Sequence, residues 1–360
     1  MRRAVLSLAI GLLALLAPAS AGAADRRLVL VTLDGLDWTD VFRGADPARA
    51  ADKAFVHETA LVKPFVEAPD RPRALMPFLH DVVARQGVLL GDREHGGCMA
   101  VANDQWFSYP GYNEILTGRP DPAITSNEHG PNRNVTVLEW LNRRADFAGR
   151  VQAVASWRTF RDIINAPRVG LPVNAGWEDA PAASPDEAAI ARMQAGAPRL
   201  WSTVRLDILT HAYALEALKR TRPHVLYVAY GETDDFAHEG RYDLALGAAR
   251  RADDYIAELW RTLQADPDYA GRTTLIVTTD HGRGKGGPDA WKHHGKPNYS
   301  GSDATWAAII GPDVVPGSRP AGCASTGQLA ATGLTALGLD WRAFDPAAGA
   351  PLDIFRPKAP

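Results

Sequence analysis

Three consecutive stretches of the sequence decide the fold: HVLYVAYGE (224–232), YDLALGAARRADDYIAELWRTLQ (242–264) and TTLIVTTDHG (273–282). The first and third are uninterrupted apolar runs, which are typical of strands buried on both faces. In the second, apolar residues recur every three or four positions, which predicts an amphipathic helix. Strand, helix, strand is the unit of a parallel sheet, so this part of the chain predicts an α/β fold.

Similar apolar runs occur on both sides of this unit, at 27–35 (RLVLVTLDG), 151–157 (VQAVASW) and 305–312 (TWAAIIGP). Together they predict a mostly parallel central sheet with helices on both faces, a three-layer α/β sandwich. The segment around 159–200 contains five prolines and is predicted to form loops and short helices over the sheet, like a cap. Such a segment either shapes a substrate entrance or only connects surface elements.

The N-terminus has the composition of a signal peptide. Arg2 and Arg3 precede the apolar run AVLSLAIGLLALLAP, and small residues follow it. This pattern predicts a signal peptide over 1–23 and a single exported domain over 24–360, periplasmic or secreted. An uncleaved anchor is the alternative, but the apolar run is short for a spanning helix. No later stretch is apolar enough to span a membrane after cleavage.

The composition narrows the classes of partner. The 360-residue chain has a net charge of −3, which disfavours nonspecific nucleic-acid binding, and a hydrophobic content of 46% that suits a large core. In an exported protein Cys98 and Cys323 can form one disulfide, although two unrelated thiols remain the alternative. A small-molecule partner is expected, and the sequence does not specify an oligomeric state.

The stretch WFSYPGYNEILTG (106–118) predicts a short helix that begins near Ser108 and ends at Gly118. A serine at this position is most often a helix cap. It can also be a nucleophile, because the N-terminus of a helix favours a developing anion. The segment alone leaves both roles open.

Acidic residues and histidines follow three of the predicted strands, and two further histidines lie in the loop after the third of these strands. They are Asp34, Asp234, His238, Asp280, His281 and the pair His293–His294. Ligands bind at the carboxyl ends of strands in α/β sheets, so these side chains are expected at one edge. Converging carboxylates repel unless cations lie among them. Mixed imidazole and carboxylate ligands suit Zn²⁺, with Mn²⁺ or Fe as alternatives.

These blocks resemble the alkaline phosphatase superfamily, in its nucleotide pyrophosphatase/phosphodiesterase-like, sulfatase-like branch. The matching blocks are Ser108-Tyr-Pro with Thr117-Gly118, the pattern Glu232-x-Asp234-x-x-x-His238, Asp280-His-Gly and His294-Gly295. The resemblance implies two divalent metal ions. One would be held by Asp234, His238 and His294, with His293 as the second choice for the last ligand. The other would be held by Asp34, Asp280, His281 and Ser108.

The resemblance also implies that Ser108 is a nucleophile that forms a phosphoseryl intermediate during hydrolysis of a phosphate mono- or diester. That branch carries an Asn three residues after the nucleophile, where this chain has Gly111. Asn113 is nearby and either binds substrate in its place or is an ordinary helix residue. Four basic residues near the site either contact an anionic substrate or are solvated loop charges: Arg283, Lys285, Lys292 and Lys296.

Two alternatives stay open. A sulfatase or phosphonate-ester hydrolase could use the same framework, although Tyr112 stands where the sulfatase signature has Arg. A catalytically inactive, metal-containing binding protein would retain the ligands without turnover.

Overall fold

The computed structural model describes residues 25–287 and 289–357, so the predicted signal peptide lies outside the described residues. A seven-stranded sheet forms the centre of the domain. Its strands are β1 (Arg27–Leu33), β2 (Val88–Leu90), β4 (Val151–Ala155), β5 (Val173–Ala175), β6 (Val225–Tyr230), β7 (Thr273–Thr278) and β8 (Ala307–Ile310). Two further strands, β3 (Met99–Ala100) and β9 (Ala324–Ser325), pair with each other beside it.

The strand order is β2-β8-β7-β1-β6-β4-β5, and β8 runs antiparallel to β2 and β7, whereas the other neighbouring strands pair in parallel. The mostly parallel sheet is therefore confirmed, and each of the five predicted strands is present. The register places Leu33, the last residue of β1, opposite Tyr230, the last residue of β6. Both strands, with β7 on the other side of β1, thus deliver their following residues to the same edge.

Helices cover both faces of the sheet. They are α1 (Trp38–Arg43), α2 (Pro47–Ala51), α3 (Thr59–Val66), α4 (Arg71–Leu75), α5 (Ala84–Gln86), α6 (Ser108–Thr117), α7 (Val137–Asn142), α8 (Phe160–Ile163), α9 (Ala166–Val169), α10 (Pro185–Gly196), α11 (Asp207–Arg220), α12 (Glu232–His238), α13 (Tyr242–Ala265) and α14 (Leu329–Ala336). The predicted amphipathic helix at 242–264 is α13. A π-helical turn (Leu79–Val83) precedes α5.

The two faces of the sheet separate two apolar cores. In β1, Val29 and Val31 belong to the core shared with α11 and α13, whereas Leu28 and Leu30 belong to the core shared with α6, α7 and α14. This alternation follows from the strand period of two, and it explains why every residue of β1 after the first is buried. Burial on both faces produces the uninterrupted apolar runs in the sequence.

The segment around 159–200 is more regular than its proline content suggests. It contains α8, α9, the edge strand β5 and α10. β5 pairs in parallel with β4, so part of this segment extends the sheet and does not lie over it. The three residues of β5 are too few for a strand pattern to be recognised in the sequence, and the same holds for β2.

The two cysteines are bonded to each other in the structure, with a sequence separation of 225 residues. The bond lies next to the β3–β9 pair, where Ala324 N donates to Cys98 O at 2.8 Å. Among the helices of the described residues, none has both the length and the apolar character needed to cross a bilayer.

Candidate metal centre and active site

The carboxyl ends of β1, β6 and β7 bring the acidic and histidine side chains together. Asp34 follows β1, Asp234 and His238 lie on α12 after β6, and Asp280 and His281 follow β7. The convergence arises because these three parallel strands are neighbours in the sheet. His294 joins them from the loop after β7.

One group of ligand atoms belongs to Asp34, Asp280 and His281, and these atoms lie within 4.8 Å of one another. All three side chains are almost completely buried. Asp280 Oδ1 accepts a hydrogen bond from Gly35 N at 3.0 Å, whereas Asp280 Oδ2 is buried without a hydrogen bond among the described residues and lies 3.4 Å from His281 Nε2. An orphaned carboxylate oxygen that faces another carboxylate and an imidazole fits a bound cation.

A second group contains Asp234, His281 and His294 within the same distance limit. His238 adjoins it, since its Nε2 lies 3.0 Å from His294 Nε2 and 3.1 Å from Asp234 Oδ2. Two imidazole nitrogens at this separation cannot both carry a proton, and a metal between the ligands would remove the conflict. The ring of His293 packs near Tyr299.

The pKa values of the cluster reflect its density of charge. Burial raises the pKa of Asp34 and of Asp280, and the repulsion between neighbouring carboxylates adds to the effect. Burial alone would lower the pKa of His281, but Asp280 and its neighbours raise it to about 9. Burial opposes ionisation of Asp234 as well, yet the charge of Arg283 holds its pKa well below the usual range. Carboxylate oxygens and imidazole nitrogens that lie this close together are suited to bind divalent cations.

Ser108 is the first residue of α6, and the N-cap is Phe107. Its hydroxyl therefore does not cap the helix. Ser108 Oγ lies 3.2 Å from His281 Nε2 and 3.5 Å from Asp34 Oδ1, beside the first ligand group. Tyr112, one turn along α6, donates to Asp34 Oδ2 at 2.9 Å and so fixes the other oxygen of that carboxylate. The structure thus places the predicted nucleophile and the predicted ligands together.

The four basic residues near the site all have acidic partners. Arg283 is buried and donates to the Asp234 carboxylate and, at 3.0 Å, to Gly35 O. The other three form ion pairs farther out: Lys285 with Asp37, Lys292 with Asp289 and Lys296 with Asp104. Arg283 therefore holds the carboxylate of the predicted metal ligand Asp234, while its Nη1 is buried without a hydrogen bond among the described residues.

A cavity of about 350 Å³ opens above Ser108 and the second ligand group. Sequence reasoning missed several of its residues, which come from separate loops and from the start of α12: Asn127, Trp157, Thr203, Val204, Gly231 and Asp235. Asn127 Oδ1 accepts from Tyr109 N at 2.9 Å, which holds the amide group at the start of α6. Its Nδ2 makes no hydrogen bond with any residue in the described part of the chain. No periodicity or motif in the sequence marks this loop position.

Asn113, the substrate-binding candidate from the sequence, is fully buried and lies outside the lining of this cavity. Its Oδ1 accepts from Asn132 and Asn134, each at 3.1 Å, and its Nδ2 donates to Arg119 O at 3.2 Å. These bonds hold the side chain in a buried network away from the cavity, so its role here is structural.

Gly111 occupies the position where the resembling branch has Asn. A Cβ at residue 111 would lie 2.4 Å from Asp280 O. The close approach of α6 to the end of β7 therefore leaves no room for an Asn side chain at this position. Asn127 is an amide that the fold brings to the start of α6.

Burial raises the pKa of Asp235 to about 9, and the charge of Asp234 adds to the effect. Asp235 lines the cavity next to a predicted metal ligand, and no basic side chain contacts it in residues 25–287 and 289–357. Within those residues it is the one acidic side chain at the cavity wall outside the predicted ligand set.

Three solved structures illustrate the likeness in fold. A mutant of the alkaline phosphatase PafA is 10% identical over 92% of this chain and 99% of its own, with a TM-score of 0.59. The C-terminal periplasmic domain of EcEptC from Escherichia coli, in complex with Zn, is 13% identical over 92% and 88%, with a TM-score of 0.55. An alkaline phosphatase superfamily protein from Vibrio parahaemolyticus is 14% identical over 93% and 70%, with a TM-score of 0.54. At these identities the likeness establishes the fold.

No curated protein sequence matches the chain. The family model for type I phosphodiesterase / nucleotide pyrophosphatase matches residues 103–293, which is more than half of the chain. This range includes Ser108, Asp234, His238, Asp280 and His281. The chain therefore belongs to the type I phosphodiesterase / nucleotide pyrophosphatase family.

Proposed function

We propose that this protein is an exported hydrolase of phosphate mono- or diesters that depends on two divalent metal ions and acts through a phosphoseryl intermediate. One observation carries the proposal. The Ser108 hydroxyl projects from the first residue of a helix to within 3.5 Å of both Asp34 and His281, which are potential metal ligands. A serine that served only as a cap would bond to its own helix.

The residues present fit two ions, most simply zinc. Asp34, Asp280 and His281, with Ser108, would hold one, and a second set would hold the other: Asp234, His238 and His294. When bound, the ions would lower the pKa of the serine hydroxyl and neutralise charge on the phosphoryl oxygens. The buried Asp280 Oδ2, which makes no hydrogen bond among the described residues, supports this assignment.

The chain's own residues set the geometry of the reaction. Ser108 Oγ forms a bond to phosphorus while the bond from phosphorus to the ester oxygen breaks, and the alcohol leaves with a proton. The N-terminus of α6 stabilises the serine oxygen as charge develops on it. Asn127 Nδ2 would donate to a phosphoryl oxygen. Water then cleaves the phosphoseryl bond and restores the Ser108 hydroxyl.

Export is part of the proposal. Export directed by residues 1–23, followed by their removal, would place the domain 24–360 in an oxidising compartment. Such a compartment permits the disulfide between Cys98 and Cys323. N-terminal sequencing of the mature protein should give Ala24 as the first residue. A chain that retains residues 1–23 and remains in the membrane fraction would indicate the anchor instead.

The central experiment combines Ser108→Ala with elemental analysis. The variant should keep two metal ions per chain and its unfolding midpoint, while turnover of p-nitrophenyl phosphate and bis(p-nitrophenyl) phosphate falls at least about a thousandfold. Ser318→Ala is the matched control, because the Ser318 hydroxyl donates to Val315 O away from the cavity. Turnover that survives in Ser108→Ala would exclude Ser108 as the nucleophile.

A panel of esters resolves the substrate class in the same experiment. Turnover of a phosphate ester with two zinc or manganese ions bound supports the proposal. Turnover of a sulfate or a phosphonate ester alone would favour the sulfatase or phosphonate-ester hydrolase alternative. Two bound ions without turnover of any ester would favour a binding protein.

A further inference from the structure

Helix α6 carries a buried carboxylate that no basic side chain neutralises. Glu114 is fully buried, and no lysine, arginine or histidine in the described ranges forms an ion pair with it. Its two oxygens accept hydrogen bonds from two segments that are distant from each other in sequence. A buried charge without a cation is costly unless donors satisfy its oxygens, and bonds to a carboxylate are stronger than bonds between neutral groups. The bonds to Glu114 therefore fix both segments against α6.

The first set of donors belongs to the chain just before the predicted nucleophile. Ala102 N donates to Glu114 Oε1 at 2.8 Å and to Oε2 at 2.9 Å, and Asn103 N donates to Oε2 at 2.8 Å. The Asn103 side chain adds a bond from Nδ2 to the same Oε2 at 3.0 Å. Its Oδ1 accepts from Gln105 N and Trp106 N, each at 3.0 Å. Through Asn103 the carboxylate thus orders the chain as far as Trp106.

The backbone at Trp106 depends on this support. Its φ is +59°, in the left-handed region that residues with bulky side chains rarely adopt. Phe107 then returns to an extended conformation at the N-cap position, so that Ser108 is the first residue of the helix. Strained backbone persists where surrounding bonds hold it, and it clusters at active sites. The direction in which the Ser108 hydroxyl leaves the helix therefore depends on the turn that Asn103 holds.

The second set of donors comes from the end of β9 and the residues after it. Thr326 Oγ1 donates to Glu114 Oε1 at 2.6 Å. Ser325 Oγ and Gly327 N donate to the same oxygen, each at 3.1 Å. β9 pairs in parallel with β3, and the disulfide joins the two residues that precede these strands. The disulfide and the Glu114 carboxylate therefore lie at opposite ends of the β3–β9 pair and hold it together.

We propose that Glu114 is a positioning residue for Ser108. Its carboxylate anchors the approach segment (102–107) against the β3–β9 pair, which directs the serine hydroxyl towards Asp34 and His281. The inference rests on the proposed function of Ser108 as the nucleophile, and it adds that a residue farther along the same helix sets the geometry of attack. A displacement of about 1 Å can cost about 100-fold in rate. Loss of this anchor should therefore lower kcat more than it changes KM.

Two variants remove the anchor at different points. Glu114→Gln replaces one acceptor oxygen with an NH₂ group that faces donors. Asn103→Ala removes the amide that links the carboxylate to Gln105 N and Trp106 N. Both variants should keep two zinc ions per chain and lower kcat for bis(p-nitrophenyl) phosphate by about 10- to 100-fold, with KM within about twofold of the wild-type value. Asn103→Ala is decisive if Glu114→Gln does not fold.

Glu139→Gln is the matched control. Glu139 lies on α7 and is also fully buried, and its carboxylate accepts from Arg143 and Arg168. This variant should lower the unfolding midpoint, while its kcat stays within about twofold of the wild-type value. A wild-type kcat in Asn103→Ala, or an equal loss of kcat in Glu139→Gln, would overturn the inference and leave the proposed function intact.

Failure of the proposed function is recognised separately. If the wild-type protein hydrolyses no ester, amide hydrogen exchange in the zinc-loaded protein tests the inference. Exchange at the amides of residues 105–108 should be at least about tenfold faster in Asn103→Ala than in the wild type, and unchanged in Glu139→Gln. Wild-type exchange rates at these amides in Asn103→Ala would overturn the inference.

Discussion

Replacing Asp280 with Asn should change the stability of the protein in opposite directions with and without metal. The substitution keeps Oδ1 as the acceptor of the Gly35 N hydrogen bond, which is 3.0 Å long. It replaces Oδ2, which makes no hydrogen bond in residues 25–287 and 289–357, with an NH₂ group that can donate to the Asp34 carboxylate. The perturbation therefore removes one buried negative charge and preserves the local geometry.

The expected magnitude follows from the separation of the charges. The ligand atoms of Asp34, Asp280 and His281 lie within 4.8 Å of one another. Two unit charges at that distance repel by about 3.5 kcal/mol at an effective dielectric constant of about 20. Burial and this repulsion raise the pKa of Asp280 well above its ordinary value, so proton uptake relieves part of the cost. We therefore expect Asp280→Asn to stabilise the metal-free protein by roughly 1–3 kcal/mol.

With metal bound the sign should reverse. The amide introduced by Asp280→Asn is a weaker ligand than a carboxylate, and each tenfold loss of metal affinity removes about 1.4 kcal/mol of the stability that saturating metal provides. Urea unfolding, followed by tryptophan fluorescence in chelator and in excess zinc, measures both effects. A destabilisation of equal size in both conditions would refute the reasoning, because it would mean that Asp280 has only a structural role.

Four other outcomes are expected. Asn127→Ala should lower kcat/KM for phosphate esters by about 10- to 100-fold through loss of one donor to the phosphoryl group, with an unchanged metal content on elemental analysis. Cys98→Ser should lower the free energy of unfolding by about 2–5 kcal/mol in urea, since the disulfide closes a long loop. Gly111→Ala should destabilise the protein by about 1–3 kcal/mol in the same assay, because its Cβ meets Asp280 O. Burial and nearby Arg charges lower the pKa of His224 to about 4, so between about pH 6.5 and 4 the unfolded chain binds a proton that the folded protein does not. The free energy of unfolding should therefore fall over this range as pH falls, by up to about 1.4 kcal/mol per pH unit.

Matched variants make these outcomes specific. Asp253→Asn is the control for Asp280→Asn, because Asp253 is a buried carboxylate that accepts from the backbone of Phe78 and Leu79 away from the site. Its effect should be the same in chelator and in zinc. His224→Asn should flatten the acid dependence, and a slope that persists over the same acid range would assign it to other groups. Gly118→Ala should also destabilise, because Gly118 has a φ of +81°.

Two further comparisons separate structural from catalytic roles. Asn113→Ala should affect stability more than kcat/KM, since its side chain bonds to buried neighbours. A loss of turnover in Asn113→Ala, without any in Asn127→Ala, would restore the role that the sequence suggested. Wild-type protein treated with reductant should match Cys98→Ser in urea, and equal stability with and without reductant would show that the bond contributes nothing.

The fold was largely predictable because its signal is local. The predicted strands are buried on both faces and therefore apolar almost throughout, and α13 has a regular apolar stripe. The short strands β2 and β5 were not predicted, because three residues are too few to show a periodic pattern. Their places in the sheet depend on neighbouring strands that are distant in sequence.

The sequence by itself determined the order of the main strands and helices and the acidic and histidine residues at the strand ends, because both follow from short-range patterns. Only the tertiary structure decided which side chains meet. It brought Asn127 to the start of α6 and left Asn113 in a buried hydrogen-bond network. It also joined Asp235 and Trp157 in one cavity wall. Which side chains meet depends on contacts between residues far apart in the chain, and no local sequence pattern encodes those contacts.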